Sequence, residues 1–153
     1  MIRLQLPIAL AGLLAAVASR GVASVPRASH RRILVVDDHT DAAESLSELL
    51  ELNGHEVHTV HDGLEAREAA ASLRPDAVLL DIGLPGMSGY DIAREIRSQP
   101  WGRRMLLVAI TGWGQPKDRA RSREAGFDRH LVKPIDFGEL EELLARSREP
   151  SDA

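Results

Sequence analysis

Three short runs constrain this chain more than anything else in it. Ile33-Leu34-Val35-Val36 leads into Asp37-Asp38, Ala77-Val78-Leu79-Leu80 leads into Asp81, and Met105 to Ile110 leads into Thr111. Each run is apolar at every position. A strand with one face in water alternates apolar and polar residues; a strand covered on both faces does not. The runs therefore predict interior strands of a parallel sheet with helices on either side.

Helical spacing fills the intervals. Ala42, Leu46, Leu49, Leu50 and Asn53 form one stripe and Leu64, Ala69, Ala70 and Leu73 the next; Ile92 with Ile96, and Leu140 with Leu143 and Leu144, mark two more. Asp41 with Glu44, and Asp136 with Glu139, have the spacing of a capping box. Gly54 and Gly126 stand where helices should stop. The stretch Gln115 to Ala125 is mostly charged, which predicts a helix with a thin apolar seam. A short fifth strand is expected from Arg129 to Val132. Strand and helix thus alternate five times, the pattern of an α/β sheet layered on both faces, with right-handed crossovers. In such a sheet ligands bind beyond the carboxyl ends of the strands.

Composition narrows the function classes. The 153 residues suit one domain. A net charge of −4 argues against a nucleic-acid surface. The absence of cysteine rules out disulfides and thiol chemistry. His55, His58 and His61 recur at every third position, but turn and strand would splay them, so a solvated edge strand is expected rather than a metal site. Of the 19 basic residues only Lys117 and Lys133 are lysines. A lysine in an arginine-rich chain draws attention to a place that needs a compact point charge.

The polar residues of interest fall on the carboxyl edge: Asp37 and Asp38 after the first strand, Asp81 after the third, Thr111 after the fourth, Lys133 after the fifth. One polar residue at a strand end needs no explanation, since loops are polar. Five of these types on a single edge do. Crowded carboxylates repel unless a divalent cation sits among them or their pKa values rise. Mg²⁺ prefers a few carboxylates with water and phosphate oxygens. A carboxylate there can attack phosphorus and become an acyl phosphate. The transferred group spreads negative charge over its equatorial oxygens, which cations must meet. Mg²⁺ and Lys133 would supply the charge, and Thr111 a hydroxyl hydrogen bond.

Residues 32–146 resemble the receiver domain of response regulators. The resemblance rests on Val35-Val36-Asp37-Asp38, on Leu80-Asp81-Ile82-Gly83-Leu84-Pro85-Gly86-Met87-Ser88-Gly89, on Ile110-Thr111-Gly112 and on Val132-Lys133-Pro134. Thr111-Gly112-Trp113-Gly114-Gln115 and Glu124-Ala125-Gly126-Phe127-Asp128 look most like receivers of hybrid histidine kinases. The resemblance implies a flavodoxin-like, doubly wound five-stranded parallel sheet of order 2-1-3-4-5. It implies that Asp81 accepts a phosphoryl group from a histidine kinase or a histidine phosphotransfer domain. Asp37, Asp38, Asp81 and the Gly83 backbone carbonyl would hold Mg²⁺, Thr111 and Lys133 would bind phosphoryl oxygens, and Lys133-Pro134 would be a cis peptide. His130 stands where an aromatic switch residue is usual, and reads either as a switch or as a plain edge-strand histidine. Gly83 offers no side chain to the site, which leaves the phosphoryl lifetime open. Trp113 reads either as a shield over the acyl phosphate or as loop packing.

Two rivals use similar parts. An aspartate-nucleophile phosphatase of the haloacid dehalogenase type places its nucleophile after the first strand in an Asp-x-Asp pattern, whereas here Asp37 and Asp38 are adjacent. A pseudo-receiver, an interaction module only, often lacks the counterpart of Asp81 or Lys133.

The flanks are distinct. In residues 1–31 an apolar run from Ile8 to Ala18 is too short to span a bilayer. Arg3 and Ala16-Val17-Ala18 partly fit a secretory signal, while Arg3-Leu4-Gln5-Leu6-Pro7 resembles the last strand of a histidine-kinase ATPase domain, which favours a linker or remnant. Residues 147–153 are expected to be a tail, with no DNA-binding output domain. A cytoplasmic protein without stable membrane insertion is expected.

Overall fold

The computed structural model describes residues 30–112 and 116–146. The expectations for residues 1–29, for Trp113 and for residues 147–153 lie outside the described residues. The elements are β1 (Arg32–Val36), α1 (Thr40–Leu52), β2 (Glu56–Val60), α2 (Gly63–Leu73), β3 (Ala77–Asp81), α3 (Gly89–Ser98), a 3₁₀ turn (Pro100–Gly102), β4 (Leu106–Thr111), α4 (Pro116–Ala125), β5 (Arg129–Val132) and α5 (Phe137–Arg146). All pairings are parallel and the strand order is β2-β1-β3-β4-β5, the doubly wound flavodoxin-like order expected.

The apolar runs divide residue by residue between two cores. Leu34, Val36, Val78, Leu80 and Leu107 face Ala66 and Ala70 of α2 and Ile92 and Ile96 of α3. Ile33, Val35, Leu79, Val108 and Ile110 face Ala43 and Leu50 of α1 and Leu140 and Leu144 of α5. Successive strand side chains point to opposite faces, so a strand covered on both sides must be apolar throughout. β1, β3 and β4 are such strands.

The helix phases differ in detail from the expected stripes. α1 buries Ala43, Ser47 and Leu50, one position on from Ala42 and Leu46, and Leu49 is left largely exposed. Adjacent apolar pairs at 42–43 and 49–50 make either phase legible. Ser47 tolerates burial because its hydroxyl donates to the Ala43 carbonyl at 2.8 Å. Leu64 is 61% exposed, since α2 turns its small residues Ala66 and Ala70 inward. Asp41 is not a cap: α1 begins at Thr40 behind His39, and Asp41 lies in the first turn, where its charge favours the helix dipole. Asp136 does cap, accepting from Glu139 N–H at 3.1 Å. Asp62 and Ser88 cap α2 and α3 in the same way. Gly54 and Gly126 follow helices with φ of +92° and +107°, where a side chain would be strained.

His55 also departs from expectation. It precedes β2 and its side chain is only 3% exposed. Its Nδ1 accepts from Arg31 N–H at 3.3 Å, and its Nε2 lies 3.1 Å from Glu141 Oε1 on α5. It belongs to the packing between β2 and α5, while β2 itself is the outer strand.

Arg97 ties α3 to the starts of β4 and β5. Its guanidinium donates to the carbonyls of Gly126, Gly102, Arg103 and Met105 at 2.8–3.1 Å and to Asp128 Oδ2 at 2.6 Å. The same Asp128 oxygen accepts from Leu107 N–H at 2.8 Å.

Candidate functional site

Register brings the site together. Val36 lies beside Leu80 and Asp81 beside Ile110, while Thr111 lies beside Val132. The residues that end or follow these strands, Asp37, Asp81, Thr111 and Lys133, therefore share one edge. Asp37, Asp81 and Thr111 are buried and Asp38 is half-buried.

Asp81 is held at both oxygens. Oδ1 accepts from Gly83 N–H at 2.8 Å, and Oδ2 accepts from Lys133 Nζ at 2.9 Å. Lys133 Nζ also lies 3.5 Å from Asp37 Oδ2. A Cβ at Gly83 would sit 3.4 Å from Asp81 Oδ1, in ordinary van der Waals contact. The chain after Asp81 is fixed by Ile82 N–H donating to the Ile110 carbonyl at 3.0 Å. Lys133 N–H donates to the Thr111 carbonyl at 2.8 Å, so the two strand ends close on one another. The Lys133–Pro134 peptide is cis.

Desolvation lowers the Lys133 pKa, but the hydrogen bond and charge of Asp81, followed by those of Asp37, outweigh it. The net shift is upward from the ordinary lysine value. Lys133 is therefore an ammonium at neutral pH, directed at Asp81.

Ligand atoms of Asp37, Asp38, His39 and Asp81 all lie within 4.8 Å of one another. Asp38 Oδ1 is buried with no hydrogen-bond partner, 3.3 Å from His39 Nδ1. A buried anionic oxygen that receives no hydrogen bond, in a group made mostly of carboxylates, fits a hard divalent cation such as Mg²⁺.

His39 was not singled out from the sequence, and His61 was read there only as part of a solvated edge strand. His39 donates its backbone N–H to Asp37 Oδ1 at 2.9 Å, with its ring beside both members of the acidic pair. Its position directly after that pair was the available signal. His61 Nδ1 lies 3.0 Å from the Asp37 carbonyl oxygen, so the histidine that follows the edge strand β2 reaches the site. His130 is not brought to the carboxylates. It sits beside Ala109 on β5, and its Nδ1 is 3.1 Å from Ser122 Oγ on α4. Beside the cluster lies a hollow of about 270 Å³, bounded by Leu46 and Leu49 of α1 and by Pro134 and Ile135.

The family described as Response regulator receiver domain matches residues 33–145. The response regulator MprA of Mycobacterium ulcerans is 43% identical over 117 residues, 76% of this chain and 48% of that protein. The chain thus spans about half the length of the curated relatives it matches. Among solved structures, the receiver domain of a sensor histidine kinase from Pseudomonas aeruginosa PAO1 is 36% identical. It has a TM-score of 0.71, covers 77% of this chain and 97% of that one, and has a magnesium ion coordinated in its active site cleft. The chemotaxis protein CheY4 of Vibrio cholerae, at 28% identity, has a TM-score of 0.73 over 78% of this chain and 99% of that one. No helix among the described residues is long and apolar enough to cross a membrane. With a family match over most of its length and the doubly wound sheet of its solved relatives, the chain belongs to the response regulator receiver domains of two-component signalling.

Proposed function

We propose that Asp81 accepts a phosphoryl group from the phosphohistidine of a histidine kinase or histidine phosphotransfer domain, and that the domain thereby switches a protein-binding surface. The observation that carries this reading is the Asp81 carboxylate with Lys133 Nζ at 2.9 Å and the Asp37-Asp38 pair in the same cluster. Asp81 attacks phosphorus as its bond to the donor imidazole nitrogen breaks. The imidazole takes up a proton as it leaves. Lys133 meets the charge on a phosphoryl oxygen, and the Thr111 hydroxyl donates to another. Gly83 N–H and Lys133 keep the carboxylate oriented before transfer.

Asp37, Asp38, Asp81 and the Gly83 carbonyl would hold Mg²⁺. A bound magnesium ion supplies positive charge to the phosphoryl oxygens and relieves carboxylate repulsion. The magnesium in the cleft of the Pseudomonas aeruginosa receiver supports that assignment. The donor would dock over the hollow beside Leu46, Leu49 and Pro134, which opens next to Asp37 and Lys133. His130, against α4, is the residue through which a change at Thr111 would reach the outer surface. The domain is not a turnover enzyme; it assists its own phosphorylation and dephosphorylation. The presence and mutual contact of Asp81 and Lys133 speak against an interaction-only module. The position of Asp81 after the third strand, not the first, speaks against the phosphatase reading.

Phosphoramidate, a small donor with the phosphorus–nitrogen bond of phosphohistidine, tests this. With Mg²⁺ the chain should gain the mass of one phosphoryl group, and in EDTA the gain should fall to background. A chain that gains no mass with saturating donor and Mg²⁺ overturns the reading.

A further inference from the structure

At the amino ends of β4 and β5, across the sheet from Asp81, a second hollow of about 380 Å³ is bounded by Arg103, Arg104, Arg129 and Arg146. Met105 and Leu106 are buried while the four arginines are exposed, so the hollow has an apolar base and a cationic rim. Asp128 is the one acidic residue in its wall, and it is already engaged by Arg97 and by Leu107 N–H. None of the four rim arginines has an ion pair among the described residues. Among the described residues, Arg129 donates only to the Asp128 backbone carbonyl. The chain as a whole carries a net charge of −4, so this cluster of four arginines runs against its average.

We propose that this hollow binds a free phosphorylated small molecule of nucleoside-diphosphate size, with its phosphates on the arginine rim and its base against Met105 and Leu143. Guanidinium forks match phosphate oxygens two bonds at a time. The volume lies in the range of small-molecule pockets, about 300–1,000 Å³. A nucleic-acid duplex calls for a basic stripe along a face, whereas these four arginines surround a single half-open hollow. A phospholipid headgroup carries the same phosphate chemistry, and a vesicle arm of the test separates the two sources.

The full chain, isotopically labelled and in EDTA to keep metal-phosphate complexes from the Asp81 edge, is titrated with ADP and with adenosine while backbone amide resonances are followed. ADP should give saturable shifts at 103–107 and 128–130, and adenosine none. Arg104→Ala and Arg146→Ala should each weaken ADP binding about tenfold, and Arg119→Ala on α4 should leave it unchanged. Resonances outside the hollow report that each variant is folded. Absence of saturation, shifts confined to Asp37, Asp81 and Lys133, or undiminished affinity in the Arg104→Ala/Arg146→Ala double variant would overturn the proposal. So would cosedimentation with phosphatidylglycerol vesicles in the absence of ADP binding.

Discussion

Lys133 Nζ lies 2.9 Å from Asp81 Oδ2, a contact between residues 52 positions apart in the chain. The pair joins the ends of β3 and β5 across β4, and Asp37 lies within 3.5 Å of the same ammonium. The cation offsets two buried carboxylates, so its removal is a charge effect before it is a packing effect.

That charge effect has a defined pH dependence. The Lys133 pKa is raised in the folded state. Its stabilising contribution is therefore fully present below the unfolded lysine value, about 10.4, and is lost as pH rises through the higher folded value. In metal-free buffer Lys133→Met should be less stable than wild type by on the order of 1 kcal/mol at pH 7, the upper end for a part-exposed ion pair. Urea denaturation from pH 7 to 11.5 should show the two proteins converging only above about pH 10.4. A constant difference across that range would show that the contribution is not ionic.

Magnesium should stabilise the fold. Binding to the native carboxylate cluster and not to the unfolded chain adds about 2.7 kcal/mol at a hundredfold excess over Kd. Thermal melts of wild type should move upward with Mg²⁺, and those of Asp38→Asn should move less, since Asp38 carries a buried oxygen that receives no hydrogen bond. A wild-type Tm that ignores saturating Mg²⁺ contradicts the metal assignment.

Arg97 should matter more than its distance from the site suggests. Arg97→Ala strips donors from the carbonyls of Gly126, Gly102 and Met105 and a cation from Asp128, with an expected loss of about 3 kcal/mol. Arg97→Lys keeps the charge but not the planar fork, and should recover less than half of that loss in urea denaturation. Full recovery would mean that charge alone holds the three segments.

Gly102 tests the turn between α3 and β4. A Cβ there would lie 1.9 Å from the Ile96 carbonyl oxygen. Gly102→Ala should therefore cost about 2–3 kcal/mol, because rigid backbone must move. A Tm within experimental error of wild type would show that the turn yields easily.

The strands were readable because burial on both faces leaves an unbroken apolar run. Ile33–Val36 and Ala77–Leu80 needed no other context, and the strand order came from the family that their flanking motifs resemble. The edge residues Asp37, Asp38, Asp81, Thr111 and Lys133 were legible for a related reason: a parallel sheet delivers its strand ends to one place. Phase was less legible. In α1 the neighbouring pairs Ala42-Ala43 and Leu49-Leu50 support two stripes, and only the packing against β1 and α5 selects Ala43 and Leu50. The role of Arg97 was not legible, because its carbonyl partners are backbone atoms that no residue letter reveals. His55 looked solvated because its partner, Glu141, lies 86 positions away.

The most direct measurement locates the phosphoryl group. The chain is phosphorylated with acetyl phosphate and Mg²⁺, and borohydride then reduces any acyl phosphate to homoserine at the modified position. Peptide mass spectrometry should find homoserine at residue 81, and Asp81→Asn should give neither the phosphoryl mass nor the reduced residue. Reduction at Asp37 or Asp38 in the wild type, or full phosphorylation of Asp81→Asn, would contradict the assignment of Asp81 as the acceptor.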